Sequence, residues 1–375
     1  MIPLKAVRRS EKRLANKIQS FLKNAGVREI IDFHTHSYER AFLKPQLIGK
    51  KLAKPTIKTI EPKLPATATF LGYPVERSLK LTKLIFDEFG GRYKIVAFGL
   101  PLHHFDIPSV NKYLFDKSRE KETAGKAIPF AVIEPGMTER QVEDYVRQGF
   151  KGFKPYPKLI KGFAGRKMRL GDYLTEPLLK VADKHGLPVM LHVHSNAADF
   201  EVLSDLAAVS KKYPKAKIVL AHMGLCRNAE LMEKAIGGIK KLENVYLSTS
   251  TVMDPEVFET ALRGLGPKRI IYGSDFPFGL IRGKEFYLKD KFRGKPVPPE
   301  LRHKPWLVTR LQYPWTMEEV QELVPRKERE KYPMFILSQI NAMKKASEKL
   351  IREGVMKPED LKSIFYGNAA RLLGR

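Results

Sequence analysis

Residues 128–156 read IPFAVIEPGMTERQVEDYVRQGFKGFKPY, and this stretch decides the fold. Ile128 to Glu134 is a short apolar run, and Phe150 to Tyr156 is a second. Between them Thr138 to Gln148 has helical period, with Thr138 placed to cap it. A strand, a helix and a strand in that order make the strands parallel, because the helix returns the chain to the end where the first strand began. Working outward, the unit recurs. Strands are expected at Glu29 to His36, Tyr93 to Leu100, Pro188 to His194, Lys217 to His222, Val245 to Ser250 and Arg269 to Asp275. Helices are expected at Asp172 to His185, Asp199 to Lys212, Asn228 to Lys241 and Pro255 to Leu265, with Asp172 and Asp254 as caps. Eight alternations behind an opening basic helix predict an α/β fold, a (β/α)8 barrel of TIM type.

The length of 375 residues is then spent on one barrel domain, 1–375, plus two long connections after the first and eighth strands, 40–92 and 281–333. Connections of that size carry structure or function of their own, and both leave the C-terminal face, where this fold builds its active site. The second holds both tryptophans, Trp306 and Trp315. One cysteine, Cys226, excludes an intrachain disulfide and reads as a small buried filler. The first thirty residues are basic without a long apolar core, and no stretch approaches the ~20 apolar residues of a spanning helix. A cytoplasmic protein with no membrane role is expected.

Nine histidines are present, and their placement carries the chemistry. His34 and His36 are two apart on the first strand, so both project from one face at its C-terminal end. His192 and His194 repeat the spacing on the fifth strand, His222 ends the sixth and Asp275 ends the eighth. Imidazoles and a carboxylate around an open position suit a catalytic divalent metal, zinc by ligand type. Such an ion lowers the pKa of bound water to ~7. A nearby carboxylate can then shuttle the water proton, and an imidazole can stabilise charge on a carbonyl oxygen.

The segments Asp32-Phe33-His34-Thr35-His36, Gly149 to Pro155, Leu187 to His192, Ile218 to Gly224, Tyr272 to Pro277 and Gly367 to Leu373 occur in an order that resembles the amidohydrolase superfamily. The likeness points to its amidohydrolase-2 branch, related to aminocarboxymuconate semialdehyde decarboxylase. It implies one metal held by His34, His36, His192 and Asp275, with Asp275 as the proton shuttle and His222 as acid/base or carbonyl-polarising group. Lys154, ending the fourth strand, is read as the partner of a substrate carboxylate, with Tyr156 beside it. Other branches instead carboxylate a lysine on this strand to bridge two metals, and His192 with His222 would then hold the second. His194 either faces the substrate or packs against a neighbouring strand. Glu134 invites comparison with TatD-like deoxyribonucleases, but those carry Glu-Thr-Asp where this chain has Gly-Ser-Asp-Phe-Pro. His103, His104 and His303 either line the mouth or are solvated, and His185 ends a helix.

Net charge is +27, from 68 Lys+Arg against 41 Asp+Glu. Eighteen of those charges fall in Arg40 to Ile60, Lys151 to Arg169 and Ile281 to Pro305, the connections after strands one, four and eight. Basic loops around one mouth concentrate anions. A small carboxylate-bearing substrate is therefore expected, with self-association into a homo-oligomer compatible with the chain. Nucleic acid is the weaker expectation, because the neighbouring aromatics Phe163, Phe286, Tyr287 and Phe292 form no recognised binding motif. Three activities follow: a metal-dependent hydrolase of an amide, ester or lactone, a nonoxidative decarboxylase of an unsaturated or aromatic acid, and a nuclease or nucleic-acid binder.

Overall fold

The computed structural model describes residues 8–42, 72–86, 92–102, 105–160, 167–302, 304–310 and 318–375. Nine short strands make the barrel wall: β1 (Ile30–His36), β2 (Tyr93–Phe98), β3 (Ala127–Pro129), β4 (Ala131–Val132), β5 (Phe153–Lys154), β6 (Pro188–Leu191), β7 (Lys217–Leu220), β8 (Val245–Ser248) and β9 (Ile270–Ile271). Every pairing among them is parallel, in one ladder from β1 to β3 and another from β4 to β9. β3 and β4 are one barrel strand interrupted at Phe130. Pro129 has no N–H for a ladder, Phe130 N donates to Ala97 O, and Ala131 N donates to Gly152 O, so the chain passes from one neighbour to the other. The last seam closes where Thr35 bridges Phe276 and Phe33 N donates to Tyr272 O. The eight-stranded barrel is complete.

Parallel strands covered by helices are buried on both faces, and all seven residues of β1 are buried. Apolar side chains such as Ile30, Ile31 and Phe33, with no exposure, each contribute about 1.5–3 kcal/mol of transfer free energy. The helices fall where the periodicity places them, at Glu139–Gln148, Glu176–His185, Phe200–Lys212, Ala229–Ile239 and Pro255–Leu265. Thr138 and Asp254 accept from backbone N–H groups of the first turn, as expected. Asp172 does not cap its helix. It closes a short 3-10 turn by accepting from Arg169 N, and the helix begins after Thr175 with Pro177 in its first turn.

The opening helix Arg9–Asn24 buries Ala15, Ile18 and Leu22 and packs on the long C-terminal helix Phe335–Arg352. Of the connection 40–92, residues 43–71 and 87–91 lie outside the described residues. Helix Val75–Phe86 within it is the crossover that packs on β2. The connection 281–333 forms two hairpins, β10 (Gly283–Leu288) with β13 (Lys304–Thr309) and β11 (Lys291–Phe292) with β12 (Lys295–Pro296). It has a small core of its own, made by Leu288, Val297, Leu301, Val308 and Val320, on which Phe286, Phe292 and Trp306 pack. These aromatics are thus structural. Trp315, His103, His104, His303 and Phe163 lie outside the described residues, as does most of the basic stretch Arg40 to Ile60. No described helix is long and apolar enough to cross a membrane.

Candidate metal centre

β1 ends in two imidazoles, and the end of β9 delivers a carboxylate to both. Asp275 Oδ1 lies 3.2 Å from His34 Nε2 and 3.3 Å from His36 Nε2. Two features hold it there: Asp275 N donates to His34 O at 2.8 Å, and Asp275 takes a left-handed φ of 58°. Gly273 permits the close approach of β9 to β1, since a Cβ on it would sit 2.7 Å from His34 Cβ and 2.8 Å from Ser248 Oγ. His222 comes from beyond β7, in a turn where His222, Met223, Gly224 and Leu225 all have positive φ. Non-glycine residues pay about 1–3 kcal/mol each for such conformations, and they cluster at functional sites.

His34, His222 and Asp275 each present a donor atom within 4.8 Å of the others, and all three are buried. His36 joins them through Asp275, and the His192 ring lies 5.1 Å from that of His222. His222 therefore sits inside the donor group, where the one-metal expectation had it only close by. The second histidine of the fifth barrel strand goes elsewhere. β6 ends at Leu191, so two-residue alternation does not extend across His192 and His194; His194 Nδ1 lies 3.3 Å from Tyr173 OH. Glu134 is outside the donor group and lines a cavity of about 560 Å³ with Gln141, Leu159 and Asp172. His185 ends its helix, 2.8 Å from Glu143 Oε1, and Cys226 is buried.

The far nitrogens of the rings set their near ones. His36 Nδ1 is 3.1 Å from Gly99 O, His192 Nδ1 is 2.8 Å from Val193 O and His222 Nδ1 is 3.1 Å from Ser250 O. A carbonyl only accepts, so each Nδ1 carries the proton and each Nε2 keeps a lone pair, the arrangement that orients metal-binding histidines. Burial pushes His34, His192 and His222 down, with the Lys154 charge next in weight for the first two and His192 for the third; His192 reaches about 3. They are neutral imidazoles at pH 7. His34 Nε2 is buried without a hydrogen bond, although Asp275 Oδ1 lies 3.2 Å away. A divalent ion would satisfy that orphaned nitrogen, so the donor set fits the metal.

Lys154, at the end of β5, has no exposed surface, and its Nζ has no hydrogen-bond partner. It stands 5.2 Å from the Phe98 ring centre and 5.4 Å from that of Tyr156. Burial pushes the ammonium down to about 7, partly opposed by Asp275. Phe98 also packs edge-on to His36, Phe278 does so from the β9 side, and Tyr156 meets His192.

Residues 117–375 match the amidohydrolase family. The chain belongs to that family. Solved structures share its barrel at low identity. A 2,6-dihydroxybenzoate decarboxylase complexed with 2,6-dihydroxybenzoate is 12% identical, with a TM-score of 0.55 over 92% of this chain and 99% of that one. A dihydroxybenzoic acid decarboxylase from a Polaromonas species, with bound manganese and the inhibitor 2-nitroresorcinol, is 14% identical, with 0.53 over 92% and 97%. A candidate 2-pyrone-4,6-dicarboxylic acid hydrolase from Pseudomonas putida is 15% identical, with 0.51 over 92% and 97%. No curated protein matches in sequence.

This amidohydrolase also uses residues that the histidine pattern does not flag. Ser250 and Thr251, just past β8, contact the His222 ring, and Ser250 contacts that of His34. Asp32 accepts from Ser274 N at 2.8 Å and His34 N at 3.2 Å, tying β1 to the Asp275 loop. Strand-end position alone would have nominated Ser250. The others show no signal in the sequence beyond polarity in an apolar run.

Proposed function

We propose that the protein is a metal-dependent decarboxylase of a small aromatic or unsaturated carboxylic acid. The observation that carries this reading is Lys154, a fully buried, unpartnered cation between two aromatic rings beside the histidine and aspartate cluster. A flat anion completes that arrangement. The resemblance to the decarboxylase branch and the dihydroxybenzoate decarboxylases that share the barrel support it.

A single divalent ion, zinc or manganese, would be held by His34, His36, His192 and Asp275, with His222 near enough to add its nitrogen. Bound there, it would act as a Lewis acid on a substrate oxygen. Phe98, Tyr156 and Phe278 flank the substrate plane. Lys154 pairs with an anionic oxygen that the substrate retains. Pairing it with the departing carboxylate would stabilise the ground state more than the transition state and slow the reaction. As the carbon–carbon bond breaks, its electron pair passes to the ring or vinyl carbon, which takes a proton from Asp275 while CO2 leaves; solvent then reprotonates Asp275. The ring faces around Nζ suit an ammonium better than a carbamate anion, which favours one ion over two.

Hydrolysis of an ester or lactone is the second reading, favoured by the hydrolase candidate that shares the barrel. Asp275 would then take the water proton and return it to the leaving group. Headspace CO2 measured over a panel of hydroxybenzoic acids, unsaturated diacids and lactone acids separates the two. Metal-dependent CO2 release is expected, and lactone opening without CO2 would transfer the assignment to the hydrolase.

A further inference from the structure

β8 runs out into four hydroxyl residues, Ser248-Thr249-Ser250-Thr251, and all four are buried. A buried hydroxyl without a partner is costly, so their hydrogen bonds need accounting. Thr249 Oγ1 accepts from Gly273 N at 3.2 Å and from Gln339 Nε2 at 3.0 Å. Gln339, on the C-terminal helix, also accepts from Thr251 N at 2.8 Å and donates to Gly273 O at 2.8 Å. One amide from behind the barrel thus clamps the end of β8 to the end of β9. The turn it holds delivers Ser250 to the cluster. Ser250 Oγ lies 3.1 Å from His34 Nδ1 and 3.0 Å from His222 Nδ1.

The two rings depend on that hydroxyl unequally. His222 Nδ1 also faces Ser250 O at 3.1 Å and Thr251 Oγ1 at 3.0 Å, so its proton has other acceptors. For His34 Nδ1, Ser250 Oγ is the hydrogen-bond partner the structure provides. A hydroxyl can accept or donate, and the choice decides the tautomer. When it accepts from His34 Nδ1–H, Nε2 keeps its lone pair beside Asp275. Ser248 Oγ, 3.5 Å away, donates to the same hydroxyl.

We propose that Ser250 is a positioning residue of the metal centre: its hydroxyl takes the Nδ1 proton of His34 and thereby presents Nε2 of that ring to the ion. The inference rests on the metal reading of the cluster and is independent of which reaction the centre performs. Without the hydroxyl, binding an ion would leave a buried N–H with no acceptor. Loss of such an outer contact weakens metal affinity by about 10–100-fold.

The test is zinc affinity of the full chain, by competition with a chromophoric chelator, for the wild type, Ser250→Ala and Ser250→Thr. Ser250→Ala should bind zinc about 10–100-fold more weakly, with the unfolding temperature of the metal-free protein close to that of the wild type. Ser250→Thr, which keeps the hydroxyl, should recover most of the loss. Should either variant fail to fold, 15N shifts of the histidine rings in zinc-loaded wild type decide: His34 should be protonated at Nδ1 and metal-bound at Nε2. Unchanged zinc affinity in Ser250→Ala, or an unprotonated Nδ1 on His34, overturns the role of Ser250 alone. A wild type that binds no zinc overturns the metal reading and this inference with it.

Discussion

Lys154 concentrates the account at the scale of one residue. Its ammonium has no hydrogen-bond partner of its own, so under the proposed function a substrate anion would supply a charge-assisted hydrogen bond worth ~1.5–3 kcal/mol. Lys154→Met should raise KM for an anionic substrate by roughly 10–100-fold. Because burial pushes the group down to about 7, wild-type kcat/KM should fall as pH rises through that value, and the variant should lack this limb. Stability gives the sign independently. Between about 7 in the folded chain and 10.5 in the unfolded one, the unfolded state binds the extra proton, so the penalty of burying Lys154 shrinks as pH rises. In metal-free protein, Lys154→Met should therefore melt above the wild type near neutral pH, with the gap closing toward pH ~10. Asp275→Asn removes the proton donor, and single-turnover rates should drop by about 10²–10⁴-fold. An unchanged rate would refute its role as the proton donor.

At the scale of elements, the ends of β1, β8 and β9 act as one unit. Gly273 lets them meet, and Gly273→Ala would press a methyl on His34 Cβ and Ser248 Oγ. A loss of about 1–3 kcal/mol in urea unfolding is expected, together with weakened metal binding. Much of this level was legible in the sequence. Runs such as Ile128 to Glu134 and Lys217 to His222 marked the strands, and caps such as Thr138 and Asp254 marked the helices. Strand ends were less legible. His192 and His194 share a strand face only if pairing continues past Leu191, and it does not. His222 enters the donor group because its turn winds left-handed, which no periodicity announces. Ser250 was marked only by its place at a strand end, and Gln339 was silent because its importance lies in contacts with Thr249 and Thr251, about ninety residues away in the chain.

At the scale of the whole molecule, the barrel brings residues from β1, β5 and the rims of β6 to β9 to one end, and the C-terminal helix locks that rim from outside. The charge of +27, which at first bears only on the choice of partner, now has one buried representative at the site in Lys154. An ion held by this cluster would bind the folded state alone, so chelation should lower the unfolding temperature on the order of 5 °C at a hundredfold excess of metal over its dissociation constant. The central claim is that His34, His36, His222, His192 and Asp275 surround a metal ion. Its most direct test is metal content per folded chain, by plasma mass spectrometry after loading and desalting, for the wild type and the His34→Ala/His36→Ala double variant. About one divalent ion per wild-type chain and close to none in a double variant with unchanged circular dichroism are predicted. A wild type that carries no ion, or a double variant that keeps it, would contradict the account.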